Sequence, residues 1–119
     1  MPEERLSHHD LCFGCGQANL FGLQLELERV GDGVEGRFFV KQDHQGEPGV
    51  AHAGVLTAAL EEALALVARR RPASLEIELL ASAPVGTFVR VNAQGPGATA
   101  SNDEGDVLAR AVGTFAPSD

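Results

Sequence analysis

The stretch from His52 to Ala68, HAGVLTAALEEALALVA, limits the possible folds more tightly than any other part of the chain. Leu56, Leu60, Ala63, Leu64 and Val67 recur at helical spacing and form one apolar stripe. The other faces, with Val55, Ala58, Ala59, Ala65, Leu66 and Ala68, are apolar too. A helix that is hydrophobic all round must be covered all round. One sheet covers only part of it, so the pattern predicts a second copy of the chain against the remainder, a homodimer at least. The helix is expected from about Gly54 to Arg70, with Pro72 ending it.

The material for the sheet lies on both sides of this helix. In GLQLELERV, Leu23, Leu25 and Leu27 face one way while Gln24, Glu26 and Glu28 face the other, the alternation of a half-buried strand. A turn at Asp32-Gly33 leads into a second strand, so residues 23–40 should form a hairpin. After the helix, SLEIELL alternates again, with Leu75, Ile77 and Leu79 on one face. FVRVNA continues as a strand, GPG at 95–97 reverses the chain into a short segment at 98–102, and VLARAVGTF closes the sheet. Connections this short imply mostly antiparallel pairing. The expected order is β-β-α-β-β-β.

Two acids interrupt the helix, Glu61 and Glu62. Adjacent helical residues lie about 100° apart around the axis, so one can face water while the other faces the interior or an interface. Both could equally sit at the edges of an amphipathic helix. The helix start, GVAHAGVL, offers no Ser, Thr, Asp or Asn as a cap. Free N–H groups at such a start are a natural place for a carbonyl oxygen or an anion. Glu61 returns to nearly the same face as Gly54, yet seven residues at about 1.5 Å each separate them by roughly 10.5 Å. Cooperation between them therefore requires an acid from one subunit and a helix start from its neighbour.

Charge narrows the function further. The 119 residues carry a formal charge of −8 and neither Trp nor Tyr, which argues against nucleic-acid binding. RRRP, residues 69–72, is the one basic cluster, read either as a solvated helix end or as a phosphate contact through Arg69 and Arg70. The N-terminus lacks the apolar core of a signal peptide, and no apolar run reaches the ~20 residues of a membrane span. A soluble cytoplasmic protein with reduced thiols is expected. Cys12-x-x-Cys15, with His8 and His9 upstream, has the spacing of half a zinc site. No closed set of four ligands is evident, so two small buried thiols in a glycine-rich turn, and no metal, are expected. His44 is expected on a surface loop, and residues 1–11 as a mobile N-terminal segment.

Three stretches resemble the PaaI-like branch of the hotdog-fold thioesterases. CFGCGQANLFGL (12–23) is similar to its CxxCGxxNPxGL opening, HQGEPGVAHAG (44–54) to its HxGxPGxxHGG loop, and EGDVLARAVGTF (104–115) to its closing DGxxLAxAxGTF strand. His52-Ala53-Gly54 followed by Glu61 resembles the family signature of His-Gly-Gly, six residues, then Asp or Glu. The resemblance implies an α+β hotdog fold, a curved antiparallel β-sheet wrapped around one long central α-helix, in a single domain over 1–119. It implies hydrolysis of an acyl-CoA to a carboxylic acid and CoA at sites between subunits of a dimer or a dimer of dimers. Glu61 would be general base or nucleophile, the Ala53 N–H with Gly54 would polarise the thioester carbonyl, and His52 would orient or assist there. Ser74 falls where some members place a hydroxyl near the attacking water. Gly46 stands where some relatives carry Asn or Gln, with Gln45 beside it as a substitute. CoA belongs to the substrate, so no separate cofactor is expected. The departures are Ala53 for the first glycine of the pair, Glu61 for the commoner Asp, and Leu20 for the proline. A non-catalytic acyl- or acyl-CoA-binding protein is the second reading, and a hotdog dehydratase or hydratase the third.

Overall fold

Gly31 and Asp32 form a two-residue hairpin loop, and Gly31 at φ +58° takes the positive angle that such a loop asks of its first residue. This reversal pairs β2 (Glu26–Val30) with β3 (Gly33–Phe39) in an antiparallel register from Glu26 opposite Arg37 to Val30 opposite Gly33. The computed structural model describes residues 5–117. Its other elements are β1 (Arg5–Leu6), a 3-10 turn at Gln42–His44, α1 (Ala53–Ala68), β4 (Ser74–Leu79), β5 (Phe88–Gln94), β6 (Gly97–Ser101) and β7 (Val107–Thr114). Every strand pair is antiparallel, in the order β1-β2-β3-β5-β6-β7-β4, and the two end strands do not pair with each other.

Helix α1 touches β3, β5, β6, β7 and β4. Five strands at about 4.8 Å spacing span more than the ~10 Å width of a helix, so the sheet must curve to reach it with all five. Small side chains make the close approach possible. Ala93, Ala98, Ala100, Ala109 and Ala111 lie buried along the strands, while Ala59 and Ala63 are buried on the helix. The larger core residues, Leu23, Leu25, Leu27, Phe38, Leu60 and Leu64, are almost fully enclosed. Each such side chain contributes roughly 1.5–3 kcal/mol by leaving water. No helix among the described residues is long and apolar enough to cross a membrane.

The structure adjusts the expected elements in five places. The strand expected from residue 23 begins at Glu26, because Gln24 adopts φ +50° and breaks the extended backbone. Leu23 and Leu25 stay buried even so. The short segment at 98–102 is a full strand, β6, paired on both sides, and β1 adds a further short strand against β2. The helix ends at Ala68 and not at Arg70, because Arg69 turns left-handed at φ +61°. The carbonyl of Ala65 then accepts from the N–H groups of both Arg69 and Arg70. Finally, Leu75, Ile77 and Leu79 share one face as expected, yet none is buried, since β4 has β7 as its one neighbour at the sheet edge.

Candidate functional site

The loop before the helix is held by the segment around Pro84. Ala51 donates its N–H to the carbonyl of Ala83 at 2.8 Å, Val85 donates to Gly49, and Val50 bridges Pro84. This frame delivers His52 as the helix cap, with φ −61° and ψ 142°. Its Nδ1 accepts the Gly54 N–H at 2.8 Å, and its carbonyl accepts from Val55. The helix start is therefore capped, contrary to the expectation from GVAHAGVL: an imidazole does what Ser or Asp does elsewhere. Gly54 has its amide occupied and is corrected as a free donor. Ala53 is different. Among the described residues its N–H has no acceptor, and it borders an open cavity of about 820 Å³ lined by His52, Leu56, Leu79, Leu80 and Ser82. Gln45 and Gly46 line the same cavity. The Gln45 side-chain oxygen is already taken by the Gly49 N–H at 2.7 Å. A Cβ on Gly46 would meet the His52 Cα at 2.8 Å, so this position leaves no room for the side chain of an Asn or Gln.

About two turns along, the two acids diverge as adjacent helical positions should. Glu61 lies half-buried at the helix edge, and both its oxygens accept from Arg71 Nη1, at 2.8 and 3.0 Å. Glu62 points inward and is 3% exposed. The left-handed turn at Arg69 is what returns Arg71 to these acids, and the same Nη1 donates to Glu62 Oε1 at 3.0 Å. Within one chain Glu61 and the His52-Ala53 start line different depressions.

Glu62 meets the N-terminal strap. Its Oε2 lies 2.5 Å from His8 Nδ1 and 3.3 Å from Cys12 Sγ, while Cys15 Sγ is 3.5 Å from the same His8 nitrogen. Both thiols are buried, as expected of the glycine-rich turn. A closed set of four ligands was not evident in the sequence, yet His8, Cys12, Cys15 and Glu62 present donor atoms all within 4.8 Å of one another. His9 turns away, its Nδ1 accepting from Leu11. Part of the helix surface assigned to a second subunit is thus covered by the chain's own strap. Burial pushes the Cys15 thiol up to about 12, and its hydrogen bond with Glu62 adds to the rise. Burial would also raise the Glu62 carboxyl, but donors from Cys15, Arg71 and Cys12 outweigh it and hold the group below its ordinary value. Burial opposes the Arg71 charge, yet the two carboxylates raise its pKa.

The remaining candidates scatter. Ser74 is exposed at the start of β4, opposite Thr114, and lines neither depression. Arg69 and Arg70 join Arg29 and Arg71 around a separate hollow that includes Leu66 and His8. Arg70 also donates to the Ala116 carbonyl at 2.6 Å and stacks on Phe115. His44 is not a surface residue. It is 2% exposed, its Nδ1 accepts from the Lys41 N–H at 3.1 Å, and its Nε2 donates to the Gly22 carbonyl at 3.1 Å.

One curved antiparallel sheet around a central helix is the hotdog fold, and solved thioesterase-superfamily proteins share it with this chain. A crystal structure of a thioesterase superfamily protein matches at a TM-score of 0.81 and 19% identity, over 91% of this chain and 61% of that one. The E. coli PaaI protein from the phenylacetic acid degradation operon matches at 0.67 and 15%, over 76% and 81%. A hypothetical thioesterase from Streptococcus pneumoniae, solved with coenzyme A, matches at 0.64 and 19%, over 77% and 88%. No family model matches the sequence, and no curated protein does.

Proposed function

We propose that this protein is a thioester hydrolase acting on an acyl-CoA, with paired sites between the subunits of a cytoplasmic homodimer or dimer of dimers. The observation that carries the reading is the Ala53 amide, open at the start of the central helix beside a cavity with an apolar wall. A tetrahedral oxyanion needs such a preorganised donor. His52 holds the helix start in place through its cap on Gly54, and its ring stands at the cavity. Glu61 of a second subunit would activate water or attack directly. Its carboxylate is held by Arg71 Nη1 at 2.8 and 3.0 Å. The hollow gathering Arg29, Arg69 and Arg70 suits the phosphates of CoA in an otherwise acidic chain. The dimer is supported by β4, an open edge strand carrying half-buried Leu75 and Ile77 and exposed Leu79. The coenzyme A in the Streptococcus pneumoniae structure supports the substrate class.

A second reading, a non-catalytic acyl-CoA-binding protein, is favoured by one observation. Both Glu61 oxygens are engaged by a guanidinium, which leaves the carboxylate poorly available as a base. A panel of short, long and aromatic acyl-CoA thioesters, with released thiol monitored, separates the two. Turnover is expected, and Glu61→Gln should lower it by about 10²–10⁴. A raised melting temperature without thiol release would establish the binding reading instead.

A further inference from the structure

We propose that His8, Cys12, Cys15 and Glu62 bind one zinc ion, a structural site that fastens the N-terminal strap to the central helix. Two thiolates, an imidazole and a carboxylate form a donor set that suits tetrahedral zinc. The spacing fits as well. Bonds of about 2.3 Å to sulfur and 2.0–2.1 Å to nitrogen give a tetrahedron whose S···N edges are about 3.5 Å. The His8 Nδ1 to Sγ distances are 3.5 Å for Cys15 and 4.0 Å for Cys12. The Cys12 Sγ to Glu62 Oε2 distance is 3.3 Å. His8 and Glu62 sit closer together, at 2.5 Å, and entry of the ion needs them to part by less than about 1 Å.

The surroundings are arranged around the same four groups. Arg71 holds Glu62 Oε1, which leaves Oε2 facing the sulfurs, the second contact that orients a ligating carboxylate. The His8 backbone N–H donates to Cys15 Sγ at 3.1 Å, and such a bond stabilises a thiolate. Two thiolates and the Glu62 carboxylate carry three negative charges against two on the ion, and Arg71, which Glu62 shares with Glu61, offsets part of the excess. Gly14 and Gly16 let the strap wrap this closely. A Cβ on Gly14 would lie 2.6 Å from Glu62 Cδ, and one on Gly16 would lie 2.4 Å from the Asp10 carbonyl and the Cys12 nitrogen. Cys12, Cys15 and Glu62 are all buried, so no position is left open for a substrate and the site is structural. Each ion displaces the thiol protons to solvent as the two sulfurs ligate it.

The test uses full-length protein purified without added metal or chelator. Mass spectrometry is expected to find one zinc per chain. Stripped protein titrated with cobalt(II) is expected to show thiolate charge-transfer absorption and the intense visible bands of a tetrahedral site, saturating at one equivalent. His8→Ala removes a partly exposed ring and should leave the fold intact. Outer-shell changes alone cost about 10–100-fold in metal affinity, so loss of this direct ligand should cost at least that much. Cys12→Ser with Cys15→Ser should abolish the charge-transfer band, with circular dichroism recorded on the same sample. Folded wild-type protein that takes up neither zinc nor cobalt, or gives only the weak spectrum of hydrated cobalt, overturns the proposal. Unchanged affinity in His8→Ala removes His8 from the ligand set and overturns the site as drawn.

Discussion

Replacing Ala53 with proline separates the chemistry of the helix start from its stability. Ala53 is the first helical residue, a position where proline's fixed φ near −65° is already helical and its missing N–H is one the helix does not use. The residue before proline must be extended, and His52 at ψ 142° meets that demand. Both contacts made by His52, from Gly54 and from Val55, survive the change. Ala53 is exposed, so the ring has room. Stability should therefore move by no more than about 1 kcal/mol. Catalysis should suffer far more, because loss of one oxyanion donor costs about 2.7–4 kcal/mol, or roughly 10²–10³ in kcat. The assay is steady-state thiol release on the best acyl-CoA of the panel, with a thermal melt on the same sample. Ala53→Gly, which keeps the N–H, is the control and should stay within a few-fold of wild type. A proline variant with an unchanged melt and an unchanged kcat would show that this amide polarises nothing.

Two further outcomes bear on the frame around the site. His44→Ala leaves a buried cavity, takes one of two donors from the Gly22 carbonyl and removes the acceptor of the Lys41 N–H, so urea denaturation should register a loss of about 2–4 kcal/mol, and a loss under about 0.5 would refute its role as a buried strut. Sedimentation should give at least twice the 12.5 kDa chain mass, and Leu79→Lys, at an exposed apolar position of the edge strand β4, should shift it toward one; a wild-type chain that sediments alone removes the shared site.

What the sequence disclosed follows from the range of the forces involved. Periodicity is local, so the helix, the hairpin and the alternating strands were legible from residues a few positions apart. The length of α1 was not, because its end is set by a left-handed arginine. Helix ends more commonly use glycine there, and arginine accepts the steric cost of about 1–2 kcal/mol. Glu61 and Glu62 were separable in environment from their 100° offset, and the structure divides them in that way. Their partners were not legible, since Cys12 is 50 residues from Glu62 and His8 is 54. The one signal available was chemical. A fully apolar helix that carries an acid on an inward position needs cations or donors aimed at it, and CxxC with histidines upstream was the only such cluster without another use. The histidine cap shows the same gap between type and geometry: a residue read as part of a reacting site also closes the helix backbone, which leaves one amide open beside it. Arg71 then joins the buried acid to the one at the helix edge. One guanidinium nitrogen holds the edge carboxylate and the buried one, so anchoring of the strap at Glu62 also fixes where Glu61 stands.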